Sequence, residues 1–231
     1  VAGPAAREAH GYFAKNWEYL TSESIPKPST QPTEITENQS KVQIVSHRPR
    51  IEGDHNITNV MIENLKALAS GEIAYIENSY FLPTGALQPY KEAMIDAAKR
   101  GVDVRILTNS ATTTDLSEIN AAAVFPYREI LKAGARIFER IGERTLHSKM
   151  CVFGDKTSVI GSWNADNRSA SLNSEIVAIT YDQELAAQLR ATIEKDMASN
   201  VAVEIQLNDL EALPWETEIR NSAVSVLSSF M

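Results

Sequence analysis

Residues 146–175 read LHSKMCVFGDKTSVIGSWNADNRSASLNSE. An apolar run, Met150 to Phe153, is followed by Gly154-Asp155 and then by Val159-Ile160. Apolar runs on either side of a Gly/Asp turn predict two antiparallel strands. Side chains alternate along a strand, so His147 and Lys149 point to one face. Ser162 and Asn164 share a face by the same rule, provided the second strand continues that far. An imidazole, an ammonium, a hydroxyl and a carboxamide then converge, and one of them titrates near neutral pH. The set suits a phosphate ester. Lys149 supplies charge, Ser162 and Asn164 supply fixed donors, and His147 can attack phosphorus or move a proton.

Outward from this stretch the chain alternates strands and helices, starting at Lys41. Val42 to Val45 reads as a strand. Ile57, Val60, Met61, Leu65 and Leu68 form a helical stripe that Gly71 ends at a C′ position. Glu72 to Ile76 is a strand leading into Glu77-Asn78-Ser79-Tyr80. Leu87, Tyr90, Met94, Ile95 and Ala98 give a second stripe, closed by Lys99-Arg100-Gly101 with its cations at the helix C-terminus. Val102 to Leu107 is a third strand, ending in Thr108-Asn109-Ser110. Leu116 to Ala133 is helical, with a break expected at Pro126. Ala135 to Phe138 is a fourth strand. Beyond the hairpin, Ile176 to Tyr181 is a strand and Asp182 caps a helix carrying Leu185, Leu189, Ile193 and Met197. Past Asn200 the pattern is weak, with Ser222 to Met231 the candidate for a frayed terminal helix. Strands alternating with helices predict an α/β fold. Ligand groups in such sheets gather beyond the carboxyl ends of the strands, which brings Ser79-Tyr80 and Asn109-Ser110 to the mouth that holds His147.

At the other end, Pro4 stands in the first turn of a helix whose apolar stripe is Ala6, Ala9, Phe13, Trp17 and Leu20, and that stripe needs something to pack on. Residues 21–40 are rich in Ser, Thr, Pro and Glu and read as an exposed linker or mobile loop, with a substrate lid as the functional alternative. The chain has 231 residues, 43% hydrophobic and 23% charged, which fits a soluble globular domain with a sizeable core. A net charge of -8 argues against a mainly electrostatic grip on nucleic acid. The single Cys151 is expected in the core, and a lone cysteine leaves the redox compartment open. No apolar run approaches the ~20 residues of a membrane span. The chain opens on Val1 without a signal peptide, as expected of a processed or partial chain. No HExxH, paired CxxC, EF-hand, P-loop or GxSxG pattern occurs, so no metal or other cofactor is indicated.

The stretch resembles the HKD motif of the phospholipase D superfamily, HxKxxxxD followed by GSxN. His147, Ser148 and Lys149 fit it, as do Gly161, Ser162, Trp163 and Asn164. The continuation is similar to the NxDxRSxxLNxE extension of bacterial cardiolipin synthase-like members, through Asn164, Asp166, Arg168, Ser169, Leu172, Asn173 and Glu175. One position departs: the family's Asp falls on Gly154, and Asp155 comes one place later. The resemblance implies a mixed β-sheet flanked by helices on both faces. It implies two HKD lobes meeting about a pseudo-twofold axis and working without metal. One histidine forms a phosphohistidine; the other protonates the leaving alcohol and then activates water or an incoming alcohol. Lysines and asparagines hold the phosphoryl oxygens.

On this resemblance His147 takes the acid/base half, and the site residues are His147, Lys149, Ser162, Asn164 and Glu175, with Asp155 and Tyr80 as further candidates. Glu175 either holds the imidazole in one tautomer or is a solvated strand end. Tyr80 faces the substrate or packs. Asp166 and Arg168 form a local ion pair. His47, Arg48 and Arg50 read as a solvated turn, with a phosphate-facing role as the alternative. Residues 1–20 are similar to the GPAA…FxxxW helix that follows the first HKD motif, which makes 1–20 an inter-lobe helix and 41–231 the lobe.

No second HxK occurs, since His10, His47 and His55 lack a lysine two places on. Three readings follow. The chain is one lobe of a larger phosphatidyltransferase or phospholipase and needs a missing N-terminal HKD lobe. It is a single-motif homodimer like the small HKD endonucleases. Or it is an inactive phosphate-binding scaffold. The acidic balance and the extension favour a phospholipid over nucleic acid, and the resemblance places the protein peripherally on a bacterial membrane.

Overall fold

The structure, a computed structural model, describes residues 3–26, 40–214, 217, 221 and 222. One mixed sheet holds eight strands: β1 (Val42–His47), β2 (Ile73–Asn78), β3 (Asp103–Asn109), β4 (Arg136–Arg140), β5 (Lys149–Phe153), β6 (Thr157–Gly161), β7 (Glu175–Tyr181) and β8 (Ala202–Ile205). Their order is β1-β7-β6-β5-β2-β3-β4-β8. The pairs β2–β3 and β3–β4 are parallel. The other pairs are antiparallel.

The connections explain this division. A parallel pair needs a long crossover, which α4 (Gln88–Lys99) supplies between β2 and β3 and α5 (Ser117–Lys132) between β3 and β4. β5 and β6 form the expected hairpin, turning at Gly154 with φ 65°. Alternation along β2 then sorts its side chains between two layers. Ala74 and Ile76 enter the main core with Ile57 and Leu65 of α3 (Asn56–Ala67) and Tyr90 and Met94 of α4. Tyr75 points the other way and packs with Val152 against Ala186 and Ile193 of α7 (Gln183–Asp196). The α/β class, with helices on both faces of a mixed sheet, is as expected.

Several local expectations need correction. α5 runs unbroken through Pro126. A proline inside a helix costs about 3 kcal/mol. Here that cost is offset by burial of Ala122, Ala123, Tyr127 and Ile130 on the same helix. Gly71 does not close α3: the helix ends at Ala67 with Leu68 extended, and Gly71 turns the chain into β2 at φ 86°. β8 and a short helix, Leu207–Glu211, lie in the region of weak pattern beyond Asn200. β8 is a short edge strand, held to β4 by pairing and by a bidentate Arg136–Glu204 ion pair.

The N-terminal helix α1 (Pro4–Thr21) forms as expected, with proline in its first turn. Its apolar stripe is nevertheless not packed: Phe13 is 58% exposed and Leu20 78%. The helix instead turns Ala5 inward beside β1. The segment after β1 is not a solvated turn. His47 is fully buried, Arg48 is buried and paired with Glu52, and Pro49–Glu52 form a helical turn, α2. The linker expected over 21–40 falls mostly, at 27–39, outside the described residues, and so do residues 223–231 of the expected terminal helix.

Candidate active site

The motif hairpin presents its functional end where β5 begins and β6 ends. Asn109, at the end of β3, pins the residue before His147. Its Oδ1 accepts from the Leu146 N–H at 2.8 Å and its Nδ2 donates to the Leu146 carbonyl at 2.9 Å. His147 then emerges exposed, and its ring has no hydrogen-bond partner among the described residues. The Lys149 ammonium donates to Ser79 Oγ at 2.7 Å and to the His147 carbonyl at 2.9 Å. Partial burial lowers the Lys149 pKa, while the carboxylates of Glu175 and Asp166 act to raise it. An anionic oxygen at this end of the sheet would offset the desolvation of the Lys149 ammonium.

Three consecutive residues of the β2 end grip the motif. Glu77 accepts the Ser148 hydroxyl on the α7 side of the sheet. Asn78 stands opposite Lys149 in the β2–β5 ladder and bonds the chain on both sides of Asn164. Ser79 receives the Lys149 ammonium and donates to the Ser148 carbonyl at 3.2 Å. Only 1% of Glu77 is exposed, and desolvation raises its pKa to about 7 against the hydrogen bond from Ser148.

The second arm of the motif departs from simple strand alternation, because β6 stops at Gly161. A Cβ at Gly161 would stand 2.2 Å from the Ile176 carbonyl oxygen, so the close pairing of β6 with β7 at this position requires glycine. Ser162 does not offer its proton to a ligand. Its hydroxyl donates to Glu175 and accepts from the Ile176 N–H at 3.1 Å. Glu175 is buried at the head of β7 and accepts further bonds from Ser169 at 2.9 Å and Asn173 at 3.3 Å. Glu175 is no solvated strand end, and the bonds its carboxylate accepts come from Ser162, Ser169 and Asn173, with none from an imidazole among the described residues.

Asp166 caps the short helix α6 (Asn167–Ser171), accepting from the Ser169 N–H at 2.7 Å, where an ion pair with Arg168 was expected. Arg168 is exposed. A five-residue helix needs its first turn fastened, and a capping carboxylate does so more directly than a solvated pair. Tyr80 donates to Asp115, and its hydroxyl is pushed up to about 12, chiefly by desolvation and then by that bond. Asp155 lies in the exposed turn at the far end of the hairpin, a strand length of about 16 Å from Lys149, and does not join the cluster.

Asn109 is expected at the mouth, but its bonds to Leu146 carry no sign in the sequence, and Asn78 escapes notice as one polar residue at a strand end. What marks them is full burial, seen only once the sheet is assembled. The buried His47 bonds the Ala170 carbonyl at 3.0 Å, and His55 bonds the same oxygen at 3.2 Å. Desolvation lowers the pKa of His47. A cavity of about 640 Å³ lies elsewhere, between α1, β1 and α3, and contains none of the motif residues. No cluster able to hold a metal ion occurs among the described residues.

An HKD-type hairpin at the mouth of a mixed sheet defines a phospholipase D-like lobe. The fold agrees with solved structures of that class. The phospholipase D family member Nuc from Salmonella typhimurium superposes with a TM-score of 0.57 over 73% of this chain and 99% of its own, at 18% identity. Phosphatidylserine synthase of Haemophilus influenzae Rd KW20 superposes with a TM-score of 0.65 over 99% of this chain and 56% of its own, at 14% identity. The sequence profile described as "Cardiolipin synthase, PLD-like domain" matches residues 62–197, and the chain belongs to that family. Cardiolipin synthase A of Pseudomonas aeruginosa is 31% identical over 87% of this chain and 39% of its own length. Minor cardiolipin synthase ClsB of Bacillus subtilis is 32% identical over 66% of this chain and 36% of its own. The chain thus spans well under half the length of these curated relatives. No described helix is long and apolar enough to cross a membrane.

Proposed function

We propose that this chain supplies one half-site for phosphatidyl transfer or hydrolysis at a phospholipid phosphodiester, with His147 as general acid and then general base. The observation that carries this reading is an exposed, unbonded His147 ring two residues before a half-buried Lys149, on one strand end pinned by Asn109 and Ser79. In this reading residues 41–231 are the lobe and residues 1–20 a helix between lobes. Lys149 and the Asn164 carboxamide bind the phosphoryl oxygens. Ser162 and Glu175 act behind them as a brace. An imidazole on a second lobe attacks phosphorus, and the P–O bond to the leaving alcohol breaks as His147 gives that oxygen its proton. His147 next takes a proton from water or an acceptor alcohol, whose oxygen displaces the second imidazole. Hydrolysis and transfer differ only in which hydroxyl arrives.

The second imidazole does not come from this chain's described core, because His47 is buried and bound to Ala170. A facing lobe is supported by the rim of the mouth. Ile51 after β1, Leu116 after β3, Ile141 after β4 and Leu172 before β7 are exposed at 39–48%. An apolar rim around a polar half-site fits a second lobe of the same fold.

The test is turnover of phosphatidylglycerol vesicles, with sedimentation velocity run in parallel. Activity is expected only with a second HxK lobe, on another chain or a longer one, and His147→Ala should remove about 10²–10⁴-fold of the rate. A monomer of this chain that turns over lipid alone, or a His147→Ala variant at full rate, overturns the reading. Nicking of plasmid DNA dependent on His147, without lipid turnover, would move the substrate to nucleic acid.

A further inference from the structure

We infer that Asn78 is the positioning residue that aims Asn164 at the phosphoryl group; the inference rests on the half-site reading above. β6 has ended before Asn164, and the pairing that remains beside it is a single parallel bridge between Ala165 and Phe81. Asn78 holds the chain on both sides of Asn164. Its Nδ2 donates to the Trp163 carbonyl at 3.2 Å, and its Oδ1 accepts from the Ala165 N–H at 3.1 Å. These are the backbone groups immediately before and after Asn164. One carboxamide brackets the residue as a neighbouring strand would, giving partners to backbone groups on both sides of it where the β6 ladder has ended.

The bracket stands on rigid ground. Asn78 and Trp163 are each 1% exposed. The indole packs edge-on against Tyr90 with centroids 5.6 Å apart. The Ala165 carbonyl accepts from the Leu82 N–H at 2.8 Å. The Asn164 side chain lacks such a fastening of its own: its Oδ1 is buried without a hydrogen-bond partner among the described residues. Its aim therefore depends on its backbone, which Asn78 holds on both sides and the Phe81 bridge on one. Because Asn78 is also the ladder partner of Lys149, a single buried residue relates the carboxamide to the ammonium. Asparagine suits the task because it carries a donor and an acceptor on one short plane; leucine has neither and aspartate lacks the donor.

Inorganic phosphate is the probe, its affinity measured by titration of the folded chain. Lys149→Ala should abolish binding; an unchanged affinity there overturns the pocket reading and this inference with it. With that control in place, Asn78→Leu and Asn164→Ala are each expected to weaken phosphate about tenfold, close to 1.4 kcal/mol. The double variant should bind no more weakly than Asn164→Ala alone. Losses that multiply, or an Asn78→Leu chain that binds like wild type, overturn the role of Asn78 and leave the pocket standing. Where Asn78→Leu fails to fold, Asn78→Ser takes its place. The side-chain amide signal of Asn164, identified by its loss in Asn164→Ala, gives a second readout. It should move toward the position of a free amide in either Asn78 variant, and an unmoved signal overturns the inference.

Discussion

Replacing Glu77 by glutamine should make the protein more stable at alkaline pH and leave it unchanged in acid. Glu77 is buried beneath the motif, with Ser148 donating to one oxygen and the other without a partner among the described residues. Desolvation raises its pKa from the ordinary 4.5 to about 7, with Asp196 adding to the shift and Arg140 and the Ser148 bond opposing it. Below pH 4.5 the carboxyl is protonated in both the folded and unfolded chains, so its contribution to stability is fully present. As pH rises from 4.5 toward 7 the unfolded chain releases the proton while the folded chain keeps it, and stability falls. At 1.36 kcal/mol per pH unit, that interval corresponds to roughly 3 kcal/mol. Glutamine keeps an acceptor for Ser148 and has no proton to lose. Urea unfolding at pH 4.5, 6 and 8 should give equal stabilities at the first pH and a gain of about 2–3 kcal/mol for Glu77→Gln at the last. Comparison with wild type at each pH removes the parallel effect of Glu139, whose carboxyl desolvation also raises to about 7. A difference that does not change with pH, or that is larger in acid, would refute the reasoning.

Gly161→Ala forces a Cβ against the Ile176 carbonyl and the Val177 Cα, which are backbone and cannot swing aside. It should cost about 3 kcal/mol, read as a lower urea midpoint. Pro126→Ala restores an amide donor inside α5 and should raise stability by about 1 kcal/mol in the same assay. Asp155→Ala changes an exposed turn remote from Lys149 and should leave the turnover of the assembled enzyme within twofold, about 0.4 kcal/mol. A larger loss would return Asp155 to the site.

The parts of the fold that could be read from sequence are those where side-chain period and burial agree. Ile57, Met61 and Leu65 recur on one helical face and are buried there. The run Met150 to Phe153 and the turn at Gly154 announce a hairpin, and the hairpin forms. Where period and burial part company the reading fails. The stripe of Phe13, Trp17 and Leu20 has the spacing of a packed helix, yet spacing does not say whether a partner surface is present. Pro126 breaks a helix in isolation, but not one whose flanking residues are locked into the core. β8 is too short and too polar to stand out, and its pairing depends on β4. The candidate site divides in the same way. The groups proposed for a ligand, His147, Lys149 and Asn164, follow from local chemistry and resemblance. The groups that hold them follow from contacts made across long stretches of chain. Ser162 and Glu175 are candidate site residues by resemblance, but their bond to each other is not legible in the sequence, because a hydroxyl close to a carboxylate in space carries no signature along the chain.

One consequence of the strand order concerns the timing of assembly. β2 lies between β5 and β3, so the grip of Ser79 on Lys149 joins residues 70 positions apart in sequence. The hairpin that bears both arms of the motif can form by itself in microseconds, whereas the central strand must be inserted from far upstream. A nascent or partly unfolded chain therefore displays the motif residues without their alignment. On the proposed function, reactivity toward phosphate esters is withheld until this long-range pairing of β2 with β5 has closed, and completion of the fold is itself the safeguard against stray chemistry.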